Sequence, residues 1–341
     1  MTKTIWTLAI ILICSFFIFN LQISQPKKNT TLTSNSNINS NIVIGYSNWA
    51  GWWPWAIAET EGLFAKHDLK VELRWYDDYS QSLTDLATGF IDGNCQTLKD
   101  TIIYADQAIK GETIVLITDS STGNDKIIVE TGINTVEDLK GKTITVEGGE
   151  NDFLLALSLE KAGLSPKDLN VLNVETGAGV EAFIANQSNA VRAFAPYWFN
   201  ALKKQGAHEI ISSVEFSDLM LNLLVVTENL KENHPEQVQA LVDTWFDVVD
   251  FLHTNLDRSD EILAQRASTT IQIVRLLKPG TKIYLLKENV DAFSQGKNVS
   301  SLSSSTKEAI DFLFNKLRSI EKRPNISRLI DSRFVEAVSS D

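Results

Sequence analysis

At 341 residues the chain exceeds what one hydrophobic core usually organises, so two packed lobes are expected and a single small module is excluded. A hydrophobic fraction of 43% with 22% charged residues excludes wholesale disorder, a collagen-like chain and a many-span membrane protein. The formal charge of −12 repels phosphate backbones and anionic lipid headgroups, so nucleic acid is not an expected partner.

The chain opens with Lys3 and an apolar run from Ile5 to Phe19, broken by Thr7 and Ser15. A basic start followed by so short an apolar segment predicts a signal peptide or N-terminal anchor over residues 1–25. Cys14 lies inside that run after Ile11, Leu12 and Ile13, without the small residue that lipoprotein processing requires, and is read as packing in the leader. With Cys14 there, Cys95 has no partner for an internal disulfide once the leader is removed. Residues 26–41 are dominated by Lys, Asn, Thr and Ser, and are expected to form a disordered tether.

From Ile42 onward β-branched runs alternate with amphipathic stretches, which predicts an α/β fold with mostly parallel sheets. Nine strands are expected: Ile42 to Tyr46, Lys70 to Trp75, Ile91 to Cys95, Thr113 to Thr118, Asp125 to Glu130, Thr143 to Glu147, Asn170 to Val174, Asn189 to Ala195 and Leu221 to Thr227. Ser165 followed by Pro166 and Asp168 marks a short helix start. Val238, Leu241, Val242, Trp245, Val249 and Leu252 recur at helical spacing, and Ser305 with Glu308 suggests a capping box, so the last third is expected to be helical. The chain is expected to cross between lobes near Gly123 to Lys126 and near Asp218 to Asn222. Two crossings make the first lobe discontinuous: lobe one over 42–124 plus 221–341, and lobe two over 125–220. The cleft between them, at the carboxyl ends of strands, is where such folds bind ligands.

Four tryptophans, Trp49, Trp52, Trp53 and Trp55, fall within seven residues directly after the first strand. One strand end cannot easily bury four indoles. They are expected to line a pocket for a flat or cationic small molecule, with Ser47 and Asn48 as polar contacts. Gly177-Ala178-Gly179-Val180-Glu181-Ala182 fits a dinucleotide fingerprint, but Phe194-Ala195-Pro196 stands where the ribose-binding acid should end the next strand. A glycine turn presenting backbone N–H groups at Gly177 to a small polar ligand is the preferred reading. Gly148-Gly149-Glu150-Asn151-Asp152 precedes an apolar helix. Its backbone either approaches a ligand at Gly148 and Asn151 or forms a plain turn capped by Asn151 or Asp152. Asp77, Asp78, Asp100 and Asp125 lie near strand ends, where they could pair with a cationic ligand. His67, His208, His234 and His253 have no metal-ligand spacing, no G-x-S-x-G elbow occurs, and neither a metal nor a cofactor is expected.

Several segments together are similar to the periplasmic solute-binding proteins of ABC importers in the nitrate, sulfonate and taurine family, which also includes pyrimidine-precursor binders. They are Ile44-Gly45-Tyr46, Glu61-Gly62-Leu63-Phe64, Leu86-Ala87-Thr88-Gly89-Phe90-Ile91-Asp92-Gly93, Asp138-Leu139-Lys140-Gly141-Lys142 and Ala195-Pro196-Tyr197. Gly51-Trp52-Trp53-Pro54-Trp55, Asp78-Tyr79-Ser80-Gln81-Ser82 and Thr122-Gly123-Asn124-Asp125 look more like a subgroup associated with urea carboxylase operons. The resemblance implies a two-lobe, type II binding protein that closes on its ligand and docks on a membrane permease. It implies ligand contacts at Ser47, Asn48, Trp49, Trp52, Thr97, Asn151 and Pro196. The expected function is capture of a small nitrogen- or sulfur-containing solute outside the cytoplasm by a monomer that performs no chemistry. The alternatives are a thiamine-pyrimidine-synthase-like enzyme, whose branch carries a cysteine-rich iron site, and a tethered ligand sensor. Few arginines among the site motifs and the excess of carboxylates favour a neutral or cationic solute, with Arg192 as the exception.

Overall fold

The computed structural model describes residues 41–294 and 301–338, so the expected leader and, apart from Asn41, the tether lie outside the described residues. Among the described residues no helix is long and apolar enough to cross a membrane.

Among the described residues, eleven strands form two mixed sheets. The first sheet contains β1 (Ile42–Ser47), β2 (Val71–Tyr76), β3 (Gly93–Thr97), β4 (Glu112–Ser121), β10 (Leu221–Thr227) and β11 (Thr281–Ile283) in the order β11-β4-β10-β3-β1-β2. The second contains β5 (Asp125–Val129), β6 (Thr143–Val146), β7 (Asn170–Asn173), β8 (Ala190–Phe194) and β9 (His208–Ser212) in the order β7-β6-β8-β5-β9. Every residue of β4 and β10 is buried, which is why their sequences read as continuous apolar or small-polar runs without alternation.

The expectation of mostly parallel sheets is corrected. β1 pairs in parallel with β2 and β3, and β6 with β7 and β8, as helix-bearing crossovers require. β10 and β5 arrive directly from the other sheet and therefore insert antiparallel, β10 between β3 and β4 and β5 between β8 and β9. The chain leaves the first sheet after Ser121, enters the second at Asp125, and returns between Ser212 and Leu221. The two crossings meet at the buried Ser213 hydroxyl. It lies 2.7 Å from the Ser121 hydroxyl and accepts from the Gly123 N–H at 2.8 Å.

All nine expected strands are present within a few residues. β9 and the three-residue β11 were not expected. The Ser165 signal produces a single 3-10 turn over Pro166–Asp168, with Asp168 accepting from the Ser165 N–H at 2.9 Å. The helix Pro235–Thr254 buries Val238, Leu241, Val242, Trp245 and Val249 as its spacing predicts. The Ser305 capping box is corrected: the helix Leu302–Phe312 begins a turn earlier, where Ser301 accepts from the Ser304 N–H at 3.2 Å. Burial of Leu302 pulls that earlier turn into the core, and Ser305 is an interior helical residue.

Candidate functional site

A cavity of about 340 Å³ lies between the sheets and takes its wall from both. The end of β1 contributes Ser47 and Asn48, and the turn after it contributes Trp49 and Trp52. In that turn the Trp49 N–H donates to the Ser47 carbonyl at 2.8 Å and the Trp52 N–H to the Trp49 carbonyl at 2.9 Å, so the chain coils tightly before the helix Trp55–Thr60. A buried carboxylate secures the coil. Asp119 accepts from Trp49 Nε1 and from Asn222 Nδ2, each at 2.8 Å, and from the Thr118 hydroxyl at 2.9 Å. Gly51 lies against this carboxylate so closely that a Cβ there would stand 2.1 Å from Asp119 Cγ. Burial pushes the Asp119 carboxyl up to about 6 although these three donors favour the ionised form.

The coil divides its indoles between two environments. Trp49 and Trp52 face the cavity, whereas the expectation for Trp53 is corrected: at 1% exposure it belongs to the core and is not part of the cavity wall. Trp55 is likewise core, stacked on Phe64 at 6.0 Å and tilted against Trp245 at 4.8 Å. The coiling of residues 50–54 decides this: the Trp53 N–H donates to the Trp49 carbonyl at 3.3 Å and the Trp55 N–H to the Trp52 carbonyl at 3.2 Å, so successive residues point to different sides.

Below the indoles the first sheet supplies a second polar group. Thr97 caps the helix Leu98–Tyr104 by accepting from the Asp100 N–H at 3.0 Å, and its hydroxyl donates to Asp100 Oδ2 at 2.6 Å. Tyr79 donates to the same oxygen at 3.0 Å, while Lys99 Nζ lies 2.7 Å from Asp100 Oδ1. Burial opposes the Lys99 charge, but Asp100 outweighs it and the ammonium is held above its ordinary value. Across the cavity, β8 places Arg192 between two carboxylates. Nη2 is 2.6 Å from Asp125 Oδ1, and Nε is 3.0 Å from Asp152 Oδ2, a close ion pair without hydrogen-bond alignment. Burial works against that guanidinium, yet Asp152 and Asp125 together keep its pKa raised; burial also raises Asp125, with Arg192 opposing.

Ser47, Asn48, Trp49, Trp52, Thr97, Asp100, Asp125, Gly148 and Asn151 all lie in the cavity wall. Asp78 does not: it is exposed and caps the helix Tyr79–Thr88 by accepting from the Ser80 N–H at 2.9 Å, while its neighbour Asp77 reaches the wall. The glycine turn expected at Gly177 is the first turn of the helix Thr176–Ile184. The N–H groups of Gly177 and Ala178 already donate to the Glu175 carboxylate at 2.8 and 3.0 Å, so they are not offered to a ligand and Gly177 is outside the wall. Pro196 is also outside it, in a cis Ala195–Pro196 peptide, and the next residue, Tyr197, lines the cavity and receives a hydrogen bond from Asn48 Nδ2 at 3.4 Å. Gly148 is in the wall with φ of +90°, but its N–H donates to Asn173 Oδ1 at 3.1 Å; Asp152 is the cap of the helix Phe153–Lys161, accepting from the Leu155 N–H at 2.9 Å. Residues not singled out beforehand include Tyr79, Lys99, Glu147, Glu175, Phe194 and Tyr197. Their common signal was position beside strand ends. Among the described residues no group of three or more His, Cys, Asp or Glu side chains is placed to hold a metal ion.

Residues 37–268 match the model of the NMT1-like family. The chain belongs to that family. A Brucella abortus (strain 2308) chain named as a binding protein is 26% identical to this NMT1-like protein over 216 residues, 62% of this chain and 66% of the relative, so the match spans just under two thirds of that relative's length. Among solved structures, the periplasmic aliphatic sulphonate binding protein SsuA of Escherichia coli superposes with a TM-score of 0.70 at 18% identity, covering 86% of this chain and 92% of that one. The alkanesulfonate-binding protein SsuA of Xanthomonas axonopodis pv. citri, bound to MOPS, gives 0.70 at 19% identity over 86% and 98%. The shared architecture is the two-lobe, type II periplasmic binding protein fold, with a discontinuous first lobe and two crossing strands.

Proposed function

We propose that this NMT1-like protein is the extracytoplasmic solute-binding component of an ABC importer. It acts as a monomer that captures one small nitrogen- or sulfur-containing solute between lobe one (42–124 plus 221–341) and lobe two (125–220) and passes it to a membrane permease. The observation that carries this reading is the cavity itself. It is walled by both sheets, and its lining includes the buried residues Ser47 and Trp52, whose hydroxyl and Nε1 have no hydrogen-bond partner in the protein. Buried polar groups left unpaired are costly, so a guest that completes them is favoured on binding. Closure around such a guest joins the two lobes through contacts from each.

Covalent chemistry is not part of the reading. The thiol of Cys95 is fully buried in the core, outside the cavity wall, and burial pushes its pKa up, which removes the thiolate a nucleophile needs. The test is a native mass spectrum of freshly purified protein, followed by adding the passenger back to stripped protein. One small molecule per chain, and a melting temperature that rises with its concentration, are expected. Well-folded protein that carries nothing, and whose melting temperature ignores a broad panel of nitrogen- and sulfur-containing solutes, would overturn the proposal.

A further inference from the structure

Six carboxylates line the cavity, Asp77, Asp100, Asp125, Glu147, Asp152 and Glu175, against two cations, Lys99 and Arg192. Both cations are already matched. Lys99 pairs with Asp100, and Arg192 sits between Asp125 and Asp152, so an entering anion could engage either only by drawing it from a buried partner.

Backbone N–H groups at helix starts are the usual alternative for holding an anion, and around this cavity several are already engaged. Asp152 takes the Leu155 N–H, Glu175 takes those of Gly177 and Ala178, and Thr97 takes that of Asp100. Protein oxygens thus already hold four of the N–H groups that an entering sulfonate or nitrate could otherwise use.

The unfilled valences point the other way. Glu147 uses Oε2 to accept from the N–H and hydroxyl of Thr176, at 3.1 and 2.7 Å, leaving Oε1 for a guest. Asn48 Oδ1 is a buried acceptor without a partner, and the Ser47 hydroxyl can also accept. Trp52 Nε1 and Arg192 Nε are the unpartnered wall groups that can only donate, and the second already faces the Asp152 carboxylate at 3.0 Å. The walls add aromatic faces: Trp52 and Tyr79 have centroids 5.5 Å apart, and Phe194 stands edge-on to Trp49 at 6.4 Å and to Tyr197 at 5.3 Å. Ring faces attract cations and flat delocalised cations stack on them.

We infer that the solute is a small organic cation rich in N–H donors, of amidinium, guanidinium or ammonium type, held by Glu147 and the indole and phenol walls, and that sulfonates and nitrate are rejected. This inference rests on the solute-binding reading and narrows it.

The test is calorimetric titration of the full chain with five probes: methylguanidinium and tetramethylammonium chlorides, sodium methanesulfonate, sodium nitrate and urea. At least one cation is expected to bind while both anions and urea give no heat, and affinity should fall with added sodium chloride. Glu147→Gln should raise the dissociation constant for that cation at least tenfold. Glu147 is half-buried and its Thr176 contacts survive in the amide, and Asp77→Asn, at the exposed rim, gives a second variant with an expected loss of twofold or more. Binding of methanesulfonate, nitrate or urea in preference to both cations would overturn the inference while leaving solute binding intact. So would a cation whose affinity ignores both substitutions. Silence from all five probes overturns the inference, and silence together with an empty native mass spectrum overturns the parent reading as well.

Discussion

Asp119 offers the sharpest test of how the tryptophan coil is held. Its carboxyl is pushed by burial from the ordinary 3.8 up to about 6, so between those values the folded protein holds a proton that the unfolded chain has released. The folded state binds more protons than the unfolded one in that window, and stability therefore falls as pH rises through it. The stabilisation is fully present below pH 3.8 and lost above about 6, which amounts to roughly 3 kcal/mol between the two limits. Asp119→Asn keeps an acceptor for Trp49 and Asn222 but removes the titration. Urea unfolding of both proteins, from pH 4 to pH 8, should show the native protein losing about 2–3 kcal/mol relative to the variant, mostly below pH 6. Glu112, which burial pushes up to about 7, titrates in both proteins and cancels in the difference. A difference that stays flat across the range, or grows in favour of the native protein as pH rises, would refute the reasoning that desolvation dominates the donors around this carboxylate.

Arg192→Met leaves Asp125 and Asp152 buried without their shared cation; a loss of about 3–5 kcal/mol is expected by urea unfolding at neutral pH, with part recovered when Asp125→Asn is added. A cost below about 1 kcal/mol would show that the triad is solvated and of little consequence. Gly51→Ala places a methyl group where Asp119 now sits, so the carboxylate must retreat from Trp49. Destabilisation of about 1–3 kcal/mol is expected from the melting temperature, and an unchanged value would show that the coil yields freely.

Much of the fold was legible because strands such as Ile42–Ser47 and Leu221–Thr227 are buried on both faces and announce themselves as β-branched runs. β9 was missed because His208 and Glu209 dilute an edge strand, and β11 because three residues make no pattern. Strand direction was misjudged where β5 and β10 change sheets, since direction depends on where a strand comes from and leaves no trace in local composition. In the site, the tryptophan coil was visible as a composition anomaly, but which indoles face the cavity depends on how residues 49–54 coil before the helix. Asp119 was inconspicuous at the polar end of a buried strand, beside Thr118 and Ser120, and its importance arises only from Trp49, 70 residues away, and Gly51 arriving against it. Glu175 and Asp152 look in sequence like ordinary caps. That both helix starts open onto the same space emerges only in the folded chain.

The junction at Ser213 has an implication for how affinity can evolve. A binding protein whose two halves pivot shows an apparent affinity equal to its intrinsic affinity scaled by the fraction of molecules already poised to embrace the guest. Ser213 ties both connecting segments together, yet it is not among the residues that line the cavity. On the proposed solute-binding reading, substitutions there would act on closure and so on capture and release, while the residues that choose the solute stayed unchanged.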